Sequence, residues 1–156
     1  AGSLLAVAGA IGYQSYTNAK IECSNAAFNV LLTNPTDKAA EQTLQNDNPE
    51  LYDVWKLSQA IANSDVSALE GLKNSKAFGV GDIASYEASV IKGDTGALEQ
   101  YTKKQGALYK DLALVELAVT LIEKGDVQSA HQKIAQIDEN SPLYPVAQAL
   151  SHYGVK

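Results

Sequence analysis

Two histidines and one pair of carboxylates are the residues best suited to chemistry in this sequence. His131 and His152 have no cysteine or carboxylate at the spacing of metal ligands, and we expect His131 on the exposed side of its helix. Glu50 and Asp53 share one face of a predicted helix. Such a pair is more typical of a solvated helix edge than of an acid/base dyad. The sequence therefore predicts neither a metal site nor a pair for general acid/base catalysis.

Phosphate binding and nucleophilic catalysis are also poorly supported. Residues 79–82 read Gly-Val-Gly-Asp, but no strand precedes them and no lysine follows at the place that a phosphate loop requires. Cys23 is the single cysteine, so it can form neither an internal disulfide nor a zinc site. No serine or cysteine stands in the context of a known nucleophile motif. We predict that the protein is not an enzyme and has no catalytic residue and no cofactor.

Composition sets the size of the core and excludes one class of partner. With 156 residues and 46% hydrophobic content, the chain can bury the core of one domain. The 12 basic and 18 acidic residues give a net charge of −6. Nucleic-acid binding depends on clustered lysine and arginine, so a nucleic-acid partner is not expected.

The elements that would position any functional side chain are clearest in residues 107–142. An apolar helix runs up to Gly125-Asp126, and a shorter amphipathic helix follows and ends before Pro142. The glycine can adopt the left-handed conformation that ends a helix, and the aspartate can cap the next one. This segment is therefore predicted to be a helical hairpin.

Weaker copies of the same unit occur upstream. Asp65, Asp94 and Asp126 lie twenty-nine and thirty-two residues apart, which is within the period range of helical repeats. The positions eleven, eight and four residues before each aspartate are apolar or small: Val54, Leu57 and Ile61; Ile83, Tyr86 and Val90; Val115, Ala118 and Ile122. The sequence thus predicts an all-α solenoid of stacked helical hairpins over residues 33–156, with a final capping helix.

Residues 1–32 are predicted to form one long N-terminal helix. No charge precedes Lys20, yet the apolar run is too short for a complete membrane span, which needs roughly 20 residues. The start at Ala1 without an initiator methionine suits a chain cut from something longer. The first half could be the trailing half of an anchor, a buried helix, or the tail of a signal sequence. The candidate membrane or oligomer contacts are Leu4, Leu5, Val7, Ile11, Tyr13 and Tyr16.

The last hairpin resembles the tetratricopeptide repeat. The residues that carry the resemblance are Leu117, Ala118, Gly125, Asp126, Ala130 and Pro142. The earlier copies differ, since Ser64 replaces the turn glycine of the first and the small residues Ala68 and Ala97 stand one place early. The resemblance implies a right-handed superhelix that binds other proteins or peptides.

The layout as a whole resembles a second family. The chain resembles the YfgM-like family in its order of a near-complete apolar span, a long helix and degenerate repeats. Members of that family are membrane-anchored bacterial proteins that assist the SecYEG translocon and periplasmic chaperones. The resemblance implies an inner-membrane protein with its repeat domain in the periplasm. The alternatives are a cytoplasmic, soluble repeat protein that forms a homo-oligomer through its N-terminal helix and, in last place, a small enzyme.

The first helices of such hairpins line the concave surface that binds partners. The candidate protein-binding residues on them are Tyr52, Trp55, Lys56, Gln59, Ser85, Tyr86 and Ser89. The alternative for Trp55 and Tyr86 is a place in the core. A clamp for a C-terminal carboxylate is not predicted, because the lysines and asparagines that form one are not found.

Overall fold

The protein is all-α. The computed structural model describes the backbone of residues 2–154 and the side chains of residues 16–154. Within these residues there are nine helices and no strand: α1 (Gly2–Thr33), α2 (Lys38–Asp47), α3 (Pro49–Ala62), α4 (Val66–Leu72), α5 (Val80–Lys92), α6 (Thr95–Lys103), α7 (Lys110–Glu123), α8 (Val127–Ile134) and α9 (Tyr144–Ser151).

The helices pack mainly on their neighbours in sequence. Each helix contacts the next one, and α1 with α3, α3 with α5 and α7 with α9 add contacts across one intervening helix. The buried residues accordingly form four hydrophobic clusters, which include Leu31 and Leu44, then Leu57 and Leu69, then Tyr86 and Leu98, then Leu114 and Ala130. The core is thus divided along the chain.

The same turn connects α3 to α4, α5 to α6, and α7 to α8. Its first residue is left-handed, with φ of 51° at Ser64, 63° at Gly93 and 83° at Gly125. The amide of the next residue donates to a carbonyl five residues back, in the pairs Asp65 to Ala60, Asp94 to Ser89, and Asp126 to Leu121. The left-handed residue itself donates to a carbonyl three residues back. These bonds satisfy carbonyls that a helix end otherwise leaves free.

The aspartate of each turn also begins the next helix. The carboxylates of Asp65, Asp94 and Asp126 accept hydrogen bonds of 2.9 to 3.1 Å from the amide three residues later. A capping side chain of this kind typically stabilises a helix by about 1 kcal/mol. The predicted turn at Gly125-Asp126 is confirmed, and it occurs three times.

The repeated register places equivalent residues in the core. Eight residues before the aspartates, Leu57, Tyr86 and Ala118 are buried. Four residues after them, Leu69, Leu98 and Ala130 are buried as well. The small Ala68 and Ala97 are only half-buried, because the next position on the helix points into the core.

The repeated apolar position at Val54 predicts a buried side chain there, but this prediction is wrong, since 40% of the Val54 surface is exposed. Trp55 contacts the cluster shared with α1 and α2, while Leu57 and Ala60 contact the cluster shared with α4 and α5. Val54 therefore lies on the side of α3 that no neighbour covers. Asn48-Pro49 predicts a helix start, with asparagine as the cap and proline in the first turn. The structure confirms this prediction, because Pro49 is the first residue of α3 and Asn48 caps the helix through the amide of Leu51 at 3.0 Å.

Helix α1 extends without a break over the range expected for the N-terminal helix. Its second half buries Ser24, Ala27 and Leu31 against α2 and α3. The candidate contacts Leu4, Leu5, Val7, Ile11 and Tyr13 lie outside the described side chains, whereas Tyr16 is described and is 59% exposed. In the part of the chain that the structure describes, no helix combines the length and apolar character of a membrane span.

Candidate protein-binding groove

The candidate binding residues of α5 are used inside the fold. Tyr86 and Ser89 are buried, and Ser85 is half-buried. The hydroxyl of Ser85 donates to the carbonyl of Gly81 at 2.8 Å, and that of Ser89 donates to the carbonyl of Ser85 at 2.8 Å. Periodicity predicted the helix but could not separate its inner face from its outer one. The α5 residues thus have structural roles.

Three of the four candidate residues of α3 line a groove between α3 and α4, and the fourth, Tyr52, stacks on Trp55 instead. A cavity of about 340 Å³ is lined by Trp55, Lys56 and Gln59 on α3 and by Ala68, Gly71 and Leu72 on α4. A second cavity of about 550 Å³ shares Lys56 and Gly71 with the first and extends to Asn74 and Lys76. The junction of the two cavities is open at Gly71, since a β-carbon placed there would meet nothing within 4 Å. We call the two cavities together the α3–α4 groove.

Trp55 has an unusual position in this groove. Its side chain is 7% exposed and packs with Leu31 and Leu44. Most of the Trp55 surface therefore lies in the core, as the alternative interpretation predicted. Its indole Nε1 is nevertheless the one buried side-chain polar atom, among those described, that lacks a hydrogen-bond partner. An indole nitrogen can only donate, and a buried donor without an acceptor costs about 1 to 3 kcal/mol. Trp55 therefore lines the groove and also contains a buried donor that has no acceptor.

Neighbouring side chains hold Trp55 in place. The ring of Tyr52 stacks on it with centroids 5.8 Å apart, and the Tyr52 hydroxyl donates to Glu41 at 3.1 Å. Burial, together with the Glu41 carboxylate, raises the pKa of Tyr52 above its usual value. Lys56 Nζ lies 4.8 Å from the centre of the Tyr52 ring and 3.0 Å from Asp53. These contacts fix the position of Trp55 in the groove wall.

Asp53 fixes the far end of the groove. The hydroxyl of Ser75, in the segment after α4, donates to Asp53 at 2.6 Å. Burial by itself would raise the pKa of Asp53, but the hydrogen bonds from Ser75 and Lys56 outweigh it and lower the pKa below its ordinary value. Asp53 is therefore a carboxylate at neutral pH. It serves as an acceptor within the protein rather than as a general acid.

Sequence reasoning missed a related network around Asp82. Its carboxylate accepts from the Tyr101 hydroxyl at 2.6 Å, from Lys104 at 2.8 Å and from the Leu108 amide at 3.0 Å. The Tyr101 oxygen also accepts from the Tyr109 amide at 2.9 Å. Burial opposes ionisation, yet these bonds lower the pKa of Asp82, while burial and Asp82 raise that of Tyr101. Neither group is poised to transfer a proton near neutral pH.

The backbone conformation and the packing of residues 79–82 explain their two glycines. Gly79 has φ of 76° immediately before α5. A β-carbon on Gly81 would clash with the backbone carbonyl of Lys73, so this position requires a glycine. The segment is the start of a helix packed against the preceding connection, which accounts for the motif without a phosphate.

The histidines do not form a site either. His131 was expected to be exposed but is half-buried, because α9 folds back and brings the Tyr153 carbonyl within 3.0 Å of His131 Nε2. His152 is exposed. Among the described residues, no three His, Cys, Asp or Glu side chains lie close enough to hold a metal ion.

Comparison with known proteins identifies no relative. No protein-family model, no curated protein and no solved structure matches this chain.

Proposed function

We propose that this protein is an interaction scaffold and that the α3–α4 groove binds an extended segment of a partner protein. The observation that carries the proposal is that Trp55, a residue lining the groove, contains a buried indole Nε1 without a hydrogen-bond partner. A small displacement of the indole ring on binding would let a backbone carbonyl of the peptide supply the acceptor that Nε1 lacks. Lys56 and Gln59, in the same wall, add a charge and an amide that can select polar groups beside it.

The scaffold that presents the groove is proposed to be a tetratricopeptide-like solenoid with a right-handed superhelix. Packing between sequence neighbours and the turn repeated at Ser64, Gly93 and Gly125 support this arrangement. Solenoids of helical hairpins bind peptides along the surfaces that their first helices line. Helix α3 would be such a first helix.

The cellular setting is proposed from the sequence resemblance. An uncharged N-terminal segment before Lys20 supports a membrane tether, with the repeat domain in the bacterial periplasm as an adaptor or chaperone-like subunit near protein translocation. A groove that accepts a backbone carbonyl fits this setting, because chains that emerge from a translocon are unfolded and expose their carbonyls.

Site-specific photocrosslinking in cells tests the groove. A photoreactive amino acid at Gln59 should crosslink to partner chains, and Trp55→Phe should reduce those adducts roughly tenfold, as expected when about 1.4 kcal/mol of binding is lost. The same probe at Gln128, an exposed residue of α8, is the matched control. Identical adducts at Gln59 and Gln128, or adducts insensitive to Trp55→Phe, would contradict the proposal.

Trp55→Phe also separates binding from stability. The substitution removes an unpaired donor, which favours the folded state, but it also removes buried apolar surface, which disfavours it. The two contributions are each about 1 to 3 kcal/mol, so the free energy of unfolding should change little. A large loss of stability would indicate that Trp55 is needed for folding, and Gln59→Ala would then be the variant that tests binding.

A second candidate function is self-association through α1. Tyr16, Cys23 and Val30 are exposed and lie seven residues apart, so they share one helix face. Ile21 and Leu32 are exposed as well. A short bis-maleimide should then join two copies through Cys23, whereas a monomer by light scattering would contradict this function.

A further inference from the structure

Two connections between helices lie side by side on one edge of the molecule. One joins α4 to α5 and the other joins α6 to α7. The amide of Leu108 donates to Asp82 at 3.0 Å, and a β-carbon on Gly79 would lie 3.3 Å from Leu108 Cδ1. Leu108 therefore lies beside Gly79, the residue that follows Phe78 in the chain. We call residues 73–79 and 103–110 the loop edge.

The loop edge exposes apolar side chains that the fold does not use. Phe78 is 94% exposed, more than any other large apolar residue described, and Leu108 is 51% exposed. Burying a side chain of this size is worth about 1.5 to 3 kcal/mol, so a pair left in water on one edge marks a contact surface. The Asp82 network holds the second connection in place, which fixes the apolar pair on an ordered frame.

The charge of the loop edge is opposite to that of the whole chain. It contains five lysines and no carboxylate, in a protein of net charge −6: Lys73, Lys76, Lys103, Lys104 and Lys110. Three of these pair with carboxylates of nearby helices. Lys76 and Lys110 are exposed and form no ion pair with any described residue. By contrast, the connection between α8 and α9 contains Asp138 and Glu139.

We propose that the loop edge binds the surface of an anionic lipid bilayer. Phe78 and Leu108 enter the boundary between headgroups and acyl chains, and Lys76 and Lys110 contact the anionic headgroups. Each lysine is two residues from an apolar partner, so their Cα atoms are at most about 8 Å apart. Lys76 also lines the second cavity of the α3–α4 groove, whereas Phe78, Leu108 and Lys110 line neither cavity of that groove. The contact does not involve residues 1–15.

Vesicle sedimentation with the full chain measures the contact. Vesicles of equal parts phosphatidylcholine and phosphatidylglycerol should bind the protein, and pure phosphatidylcholine should bind it less. Phe78→Ser should lower the partition coefficient about tenfold or more. Lys76→Gln and Lys110→Gln should each lower it about fivefold. The matched controls, Tyr153→Ser and Lys124→Gln, change an exposed aromatic and an exposed lysine elsewhere and should have no effect.

A local probe separates the loop edge from residues 1–15. A polarity-sensitive dye on Phe78→Cys, in a chain with Cys23→Ser, should shift its emission to the blue on anionic vesicles, whereas the dye on Tyr153→Cys should not. Binding of the chain without a dye shift at position 78 would overturn the proposal and assign the contact to another segment. So would loop-edge variants that bind vesicles normally but lose binding to an acidic protein, because the surface would then recognise protein rather than lipid.

Discussion

Exchanging serine and glycine between equivalent turns should change stability in opposite directions. Ser64 has φ of 51°, in the left-handed region where a β-carbon costs about 1 to 2 kcal/mol. Its hydroxyl makes no hydrogen bond with a described residue, so Ser64→Gly removes strain and no contact. The greater freedom of glycine in the unfolded chain costs about 0.5 to 1 kcal/mol. We expect Ser64→Gly to stabilise the protein by about 0.5 to 1 kcal/mol.

The reverse exchange at Gly93 should destabilise the protein by a similar amount. A β-carbon on Gly93 would meet nothing within 4 Å, so Gly93→Ser adds backbone strain without a steric clash. Urea unfolding followed by circular dichroism measures both variants, and melting temperatures should move by about 1 to 4 °C in opposite directions. The double variant should return to within about 0.5 kcal/mol of the natural sequence. Destabilisation by Ser64→Gly, or no effect of Gly93→Ser, would refute the equivalence of the turns.

Three other changes test the core, the buried network and the N-terminal helix. Ala130→Leu should destabilise by about 1 to 3 kcal/mol, since Ala130 is fully buried between α7 and α8; an unchanged melting curve would contradict this packing. Asp82→Asn should cost about 1 to 3 kcal/mol at neutral pH. The folded state lowers the pKa of Asp82, so this contribution is present above the ordinary pKa near 4 and is lost as pH falls through the folded pKa. In urea unfolding measured between about pH 5 and 2, the natural protein should therefore lose more stability than the variant. Deleting residues 1–16 should leave a folded, more strictly monomeric protein by circular dichroism and light scattering. Deleting residues 1–32 should unfold the protein, because it removes the buried Leu31. Loss of the melting transition in the shorter deletion would place residues 4–16 in the core.

The features that sequence predicted well are those that local chemistry determines. A glycine followed by aspartate contains both the residue that ends a helix and the one that caps the next, so Gly125-Asp126 indicates a turn without knowledge of tertiary structure. Asn48-Pro49 is similar, since proline fits the first turn of a helix. The burial of Leu57 and Ala118 followed from their common register in the repeat.

The features that sequence missed depend on which helix covers which face. Val54 has helical spacing with its apolar neighbours, but the neighbouring helices cover two other sides of α3 and leave Val54 exposed. Tyr101 and Asp82 are nineteen residues apart, and nothing in their local sequence shows that they meet. The unpaired donor of Trp55 is also a tertiary property, because it requires that the folded chain brings no acceptor close to Nε1.

The shared aspartate of each turn also determines where the chain tolerates a change in length. Asp94 completes the end of α5 and caps the start of α6, so only Gly93 and Asp94 separate the two helices. One inserted residue inside α6 would rotate everything after it by about 100°, which would move Leu98 out of the core and a polar neighbour into it. The connections at residues 73–79 and 104–109 face no such requirement. Natural variation in length is therefore expected in the connections between hairpins and not in the turns within them.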